Sequence, residues 1–277
     1  MKQPHSSQSD DIAQYIRDML TPYDGDASFL VWSSDRTLAV WEVCKKFLSE
    51  ERKNGGIYDI DTDIISTITS HNPGYIDQPN EVIVGLQTDV PLKRACKPVG
   101  GIRIVEKACE ENGRTLNPRI CEIYTKYRKT HNEGVYDAYT EQMRKLRKTW
   151  LLTGLPDSYA RGRIIGDYRR VALFGVDALI VAKEHDKKQL EVSPMMEETI
   201  RLREEVSEQI KALQEMKIMA SSYGYDIAGP ANNAREAVQW IYFAYLAAVK
   251  EQDGAAMSMG NVNHIIDIFI EADMQQG

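Results

Sequence analysis

The densest set of groups able to do chemistry runs from Gly154 to Arg170, as Gly-Leu-Pro-Asp-Ser-Tyr-Ala-Arg-Gly-Arg-Ile-Ile-Gly-Asp-Tyr-Arg-Arg. Four arginines fall within ten residues and are interleaved with glycines. Arginine offers a planar fork of donors that matches a carboxylate or a phosphate. Glycine, without a Cβ, lets a ligand or another backbone come close. One reading is an anion site beside a helix start. The other is a helix whose arginines pair with Asp157, Asp167 and further acids, which is the commoner case for such runs. The spacing is neither a GxGxxG fingerprint nor a P-loop, so nucleotide binding by those routes has no support.

Arg144-Lys145-Leu146-Arg147-Lys148 is the densest basic patch, with Tyr136 and Trp150 nearby. It could hold a phosphorylated ligand, although such a run is more often a solvated helix face. His71 and His131 both sit in turn-forming strings, Thr-Ser-His-Asn-Pro-Gly and Thr-His-Asn-Glu-Gly. Either could act as a general base. No serine elbow or catalytic cysteine motif accompanies them, so turn hydrogen bonding is the expected role. Gly254-Ala255-Ala256-Met257-Ser258-Met259-Gly260 is built of small residues and methionines, and could line a tight pocket or let elements pack closely.

The elements that must position these groups are mainly helical. Ser9 caps a helix carrying Ile12 to Leu20, which Thr21-Pro22 stops. A second helix is expected from Asp35 to Lys53, burying Leu38, Trp41, Cys44 and Phe47 and ending at Asn54-Gly55-Gly56. Residues 57–100 are richer in β-branched and turn residues; Ile64, Ile65 and Ile68, and Val82 to Val84, could form short strands. Helices follow at Ile102–Glu111 and after Asn117-Pro118. The next spans Arg161–Lys187, weakened by Gly162, Gly166 and Gly175. Another begins at Ser193-Pro194, with Leu202, Val206, Ile210, Leu213 and Met216 on one face. Asn233 and Glu236 match a capping-box spacing before Ala237–Lys250, and Ile265–Ile270 is a last apolar segment. No repeat and no Pro/Gly/Ser-rich linker divides residues 1–277, which read as a single region.

Composition narrows the function class. The 277 residues carry net charge −7, with 43% hydrophobic and 27% charged residues, which is ordinary globular usage. The acidic balance argues against a dedicated nucleic-acid binder working through 144–148. Cysteines stand at 44, 96, 109 and 121, without zinc-knuckle or CxxC spacing, so no metal site is expected and free thiols in a reducing cytoplasm are. The N-terminus shows no secretory signal. The most apolar stretch, Ile241–Val249, is much shorter than a membrane span. A soluble, cytoplasmic protein is the expectation.

Several strings, in order along the chain, resemble the N-terminal part of pyruvate formate-lyase (formate acetyltransferase), a glycyl-radical enzyme family. They include Thr21-Pro22-Tyr23-Asp24-Gly25-Asp26, Ser66-Thr67-Ile68-Thr69-Ser70-His71 and Ile83-Val84-Gly85-Leu86-Gln87-Thr88. Tyr127-Arg128-Lys129-Thr130-His131-Asn132, Leu152-Thr153-Gly154-Leu155-Pro156-Asp157 and the Arg-Gly-Arg-Ile-Ile-Gly-Asp-Tyr-Arg-Arg run continue the series. Thr199 to Glu205 and Gly254 to Ser258 complete it. The resemblance implies a reaction, pyruvate plus coenzyme A giving formate plus acetyl-coenzyme A, in anaerobic fermentation. It also implies a fold: the N-terminal part of a ten-stranded α/β barrel, here mainly α with a few short strands at 57–100 and near 254–270.

By the same resemblance Arg163 grips the pyruvate carboxylate, and Ala255 and Ala256 line the pyruvate pocket. Tyr136, Arg147 and Lys148 match coenzyme A positions. The family suggests a homodimer and a radical-SAM activase as partner, while composition and hydropathy suggest no membrane and no nucleic acid. In the family a glycyl radical and a pair of adjacent cysteines perform the cleavage. This sequence has no Cys-Cys pair and no Arg-Val-Ser-Gly-Tyr loop, so no catalytic residue and no bound cofactor are expected in it. It covers about the first third of the family's length. The alternatives are one half of a split enzyme with a complementing C-terminal chain, or a non-catalytic coenzyme A- or partner-binding assembly protein. The 277-residue chain, incubated anaerobically with activase, pyruvate and coenzyme A, is expected to release no formate; formate above the no-protein blank would contradict that.

Overall fold

A computed structural model describes residues 32–55, 59–96, 101–122, 139–149, 151, 166–252 and 257–276. Among these, eight helices and two strands occur in the order α1 (Asp35–Lys53), β1 (Asp59–Ile65), β2 (Lys93–Cys96), α2 (Gly101–Glu111), α3 (Pro118–Glu122), α4 (Glu141–Lys148), α5 (Arg169–Gln189), α6 (Glu197–Ser222), α7 (Ala234–Gln252) and α8 (Asn263–Gln276). The expected mainly helical architecture is observed. The expected helix over 12–20 lies outside the described residues.

Local signals account for the helix ends. Ser34 Oγ accepts from the Thr37 N–H at 3.3 Å and caps α1. Asn233 Oδ1 accepts from the Glu236 N–H at 2.9 Å, one half of the expected capping box. Glu236 instead reaches the Asn232 N–H at 2.8 Å. α1 has the expected bounds but buries nothing: Leu38 and Trp41 are 49% and 52% exposed, and Cys44 and Phe47 only half-buried. Its ties are polar, from Arg36 to the Pro79 and Glu81 carbonyls and from Glu51 to Arg94.

The main core lies where α5, α6 and α7 pack, around Val171, Val176, Met216, Met219, Trp240, Ile241 and Phe243. On α6 the expected apolar face is buried at Ile210 and Met216, whereas Leu202 stays exposed. α5 is interrupted at Gly175, whose φ is 74°. A Cβ there would lie 2.3 Å from the Ala228 carbonyl oxygen. The break lets the Val176 and Asp177 N–H groups bond the Ile227 and Ala228 carbonyls, at 2.9 and 3.1 Å. Gly166 precedes α5 and is not part of it, contrary to the expected long helix from Arg161. A smaller core joins Ile60 of β1 to Val105, Ala108, Cys109 and Ile120 of α2 and α3.

β1 and β2 form a parallel pair, with Asp59 opposite Lys93 and Ile60 opposite Arg94. Parallel strands are usually joined through a helix. Here residues 66–92 cross over as turns and irregular chain. Ile68 and Val82–Val84 are therefore not strands, although Ile64 and Ile65 belong to β1. Val84 is buried, and its N–H and C=O pair with the amide side chain of Gln239, both at 2.8 Å. Tyr242 Oη donates to the Gly85 carbonyl at 2.9 Å. Tyr223 Oη accepts from the Gly74 and Leu86 N–H groups, both at 3.1 Å. Helix side chains thus stand in for a neighbouring strand, which a buried backbone requires. Near 254–270 the described chain is helix α8 plus an isolated bridge at Ser258, in place of the expected strand.

The C-terminal turn of α7 is anchored by Ser66 Oγ donating to the Lys250 carbonyl at 2.6 Å. Lys250 is 2% exposed, and burial pushes its amine down to about 8. The folded state therefore resists protonation that the unfolded chain accepts up to about pH 10.4. Two outcomes follow. Unfolding free energy is expected to rise by about 2 kcal/mol from pH 8 to pH 10, a rise absent in Lys250→Met. Gln239→Leu is expected to lower it by about 2–4 kcal/mol by orphaning both Val84 groups. Urea unfolding across that pH range checks both.

Candidate functional site

The described end of the arginine–glycine run, Gly166 to Arg170, leads into α5. Asp167 Oδ1 accepts from Arg169 Nε at 2.7 Å, one of the ion pairs that composition suggested. Gly166, Asp167, Tyr168 and Arg170 form one wall of an open cleft of about 390 Å³. Ala244, Ala247, Ala248 and Glu251 of α7 line it as well. Leu213 and Met216 of α6 contribute apolar surface, and Lys183 and Gln209 add polar groups. The cleft is thus mostly apolar with charges of both signs, the usual make-up of a ligand or segment site.

Tyr168 organises this wall. It is 7% exposed, and its ring meets that of Tyr245 edge-on, with centroids 5.6 Å apart and planes at 83°. A Cβ at Gly166 would lie 2.6 Å from Tyr168 Cε1, so a larger residue at 166 would oblige this ring to shift. Burial pushes the Tyr168 phenol up, opposed by a hydrogen bond from the Gly166 backbone. Burial also pushes Tyr242 up to about 12, which keeps its hydroxyl a donor to Gly85 even in alkaline solution near pH 10.

Arg163, Ala255, Ala256 and Tyr136 lie outside the described residues, as does His131. Arg147 and Lys148 occupy the last turn of α4, where positive charge complements the helix dipole. Thr140 Oγ1 caps this helix by accepting from the Met143 N–H at 3.2 Å. The Arg147 guanidinium lies 5.9 Å from the Tyr139 ring centroid, while Lys148 is exposed. Neither residue lines the cleft.

His71 is held on both sides. Nδ1 and Ser70 Oγ are 2.8 Å apart, and Nε2 lies 3.1 Å from Asp61 Oδ2. The residue types are those of a nucleophilic triad, but the His71 side chain is only 2% exposed. Ser70 Oγ also donates to the Thr67 carbonyl and accepts the Thr67 N–H. The group is therefore the turn-bonding device that its sequence context suggested. Nearby, Lys93 hydrogen-bonds Asp89 at 2.8 Å, which lowers the carboxyl and raises the amine. Among the described residues no cluster of His, Cys, Asp and Glu could hold a metal, and no helix is long and apolar enough to cross a membrane.

The ring contact of Tyr245 with Tyr168 has no signal in the sequence, because Tyr245 sits inside the apolar stretch Ile241–Val249 and signals only hydropathy. Lys250 likewise looked like an ordinary charged helix end.

Comparison with known proteins places this geometry in context. A family model described as pyruvate formate lyase-like matches residues 6–277. Formate acetyltransferase from Haemophilus influenzae is 52% identical over 270 residues, covering 96% of this chain and 35% of that protein. Formate acetyltransferase 1 from Escherichia coli is 51% identical, with 96% and 36% covered. The chain thus spans about a third of the length of these relatives. Two solved structures share its fold. One, described for 1,2-propanediol dehydration in Roseburia inulinivorans, has TM-score 0.57 and 17% identity, covering 92% of this chain and 38% of its own. The other, the B12-independent glycerol dehydratase of Clostridium butyricum, has TM-score 0.56 and 13% identity, covering 89% and 38%. With its family model and its relatives in agreement over nearly the whole sequence, the chain belongs to the pyruvate formate lyase-like family.

Proposed function

We propose that this chain supplies the substrate-holding N-terminal part of a formate acetyltransferase, which converts pyruvate and coenzyme A to formate and acetyl-coenzyme A. The observation that carries this reading is 51–52% identity to two formate acetyltransferases over 96% of the chain. Arg163 binds and orients the pyruvate carboxylate, opposing its charge with a two-pronged hydrogen bond. Ala255 and Ala256 keep the pocket small enough to hold the methyl ketone in one orientation. Tyr136 stacks on the adenine of coenzyme A, and Arg147 and Lys148 face its phosphates. The cleavage itself draws on a radical glycine and paired cysteines, which are not among these 277 residues. A complementing polypeptide, an activase that installs the radical, a homodimer and a cytoplasmic, fermentative setting complete the proposal.

Surface apolar groups support a chain that packs against further polypeptide. Leu38, Trp41 and Leu48 are exposed on α1, Phe174 and Val181 on α5, and Ile268, Ile270 and Met274 on α8. Exposed apolar groups in such numbers favour association.

The test is a chimera in which this chain replaces the matching third of the Haemophilus influenzae enzyme. After anaerobic activation it is expected to release formate from pyruvate. Arg163→Gln should then raise KM for pyruvate roughly 100-fold, corresponding to about 3 kcal/mol for a lost charge-assisted contact. Lys148→Ala should raise KM for coenzyme A and leave that for pyruvate unchanged. An active chimera indifferent to Arg163→Gln would overturn the carboxylate assignment.

A further inference from the structure

We infer that the Lys250 ammonium is an anchoring point for a side-chain carboxylate carried by the polypeptide that completes this chain, in an ion pair of which this chain holds the cationic half. The inference rests on the proposal above that further polypeptide packs against these 277 residues, and it names the chemistry of one contact.

Lys250 stands in the last turn of α7 and is 2% exposed. Residues three and four earlier share its face of the helix. These are Ala247 and Leu246, and both are buried. The stem therefore lies in apolar surroundings, and only the amine can reach polar company. A lysine in a last helical turn can bond the free carbonyls there. Two of those are taken: Gln87 Nε2 donates to the Val249 carbonyl at 3.4 Å, and Ser66 Oγ to that of Lys250 itself at 2.6 Å. Acids of the surrounding elements are engaged too. Glu251 accepts the Ile68 N–H at 3.3 Å, Asp61 holds His71, and Asp89 holds Lys93. Asp273 of α8 accepts the Ala234 N–H at 2.9 Å, and Asp177 of α5 holds Lys217 of α6. Burial alone displaces the Lys250 amine, with no described charge contributing.

The amine is nevertheless reachable. Among the described residues, Arg203 Nη1 is the one side-chain nitrogen or oxygen both sealed from solvent and without a hydrogen-bond partner. Lys250 Nζ also lacks a partner among them, so it is not sealed, and the small exposed remainder of the residue includes its tip. An amine displaced to about 8 is still roughly nine-tenths protonated at pH 7. A charge so short of water and of acceptors is costly. A carboxylate arriving at the opening offsets that cost with charge-assisted hydrogen bonds. Free anions are a poor source, because a lone ammonium on a chain of net charge −7 recruits them weakly. A carboxylate delivered by packing escapes that limit, since the apolar area buried with it drives the approach. The chain spans 35–36% of the length of its relatives, so most of a relative-sized protein is available to provide the acid.

The experiment compares the 277-residue chain with the chimera described above. Each is labelled with trace acetic anhydride from about pH 6 to pH 10.5, and mass spectrometry of the Lys250 peptide gives the pH at which the amine loses its proton. That midpoint is expected at about 8 in the chain alone. In the chimera it should exceed about 10, with labelling slower than in the urea-unfolded chimera. A chimera midpoint at or below 8, or labelling as fast as in urea, would overturn the inference. Sodium acetate added to the chain alone should leave its midpoint in place; a rise to the chimera's value would make the ligand a free carboxylate and refute the polypeptide source. Lys250→Met should raise Tm of the chain alone by about 2–4 °C and lower that of the chimera by a similar amount, because there it strands a carboxylate. Shifts of one sign in both would count against the pair. Formate release judges the substrate-holding function separately. An inactive chimera with a midpoint above 10 refutes that function and keeps the ion pair, and an active one with a midpoint of 8 does the reverse.

Discussion

The described fold depends on one buried exchange of hydrogen bonds, between the amide side chain of Gln239 and the backbone of Val84. Residues 66–92 have few backbone partners of their own, yet Ile68, Val84 and Thr88 are buried. A buried peptide group left unpaired costs about as much as a lost hydrogen bond or more. Gln239 meets that requirement with both ends of one amide, and Tyr242 and Tyr223 extend the same pattern to Gly85, Leu86 and Gly74. With this crossover docked on α6 and α7, β1 and β2 can lie parallel without a connecting helix. The same docking brings Ser66 to the end of α7. That end leads toward the small residues proposed for the pyruvate pocket.

The charge pattern has a related logic. Net charge is −7, yet basic residues concentrate at 144–148 and 161–170. An acidic background keeps polyanions at a distance, while a local basic field still attracts small anions. Pyruvate and the phosphates of coenzyme A, the ligands proposed for this chain, are anions of that kind. Ion pairs such as Arg169 with Asp167 hold individual arginines in place without abolishing the local excess.

What could be read from the sequence follows the range of the interactions involved. The α1 bounds, the Asn233–Glu236 spacing and the α2 bounds are decided by residues close in sequence, and they were legible. The crossover was not. Val82–Val84 has the composition of a strand, and nothing local reveals that its partner is a glutamine side chain on α7. α1 failed in the opposite sense: its apolar periodicity promised burial, but no described layer covers Leu38 and Trp41. For the candidate site, the arginine–glycine run stood out by residue type. The contact of its Tyr168 with Tyr245 was invisible, because Tyr245 contributes to an apolar stretch like any other core residue. Periodicity places a side chain on a face, and only the packed structure reveals which distant chain that face serves.

The separation of Gln239 and Val84 also bears on biosynthesis. The two residues are 155 positions apart. At translation rates of about 5–20 residues per second, roughly 8–30 s pass between the appearance of one and the other. During that interval the crossover has apolar side chains and open peptide groups but no helix to receive them. The hairpin of α5 and α6, nearer in sequence, can assemble before α7 arrives. The nascent chain thus carries an adhesive stretch for many seconds, and cells making it quickly would rely on holding factors at the ribosome to keep neighbouring copies from pairing through it.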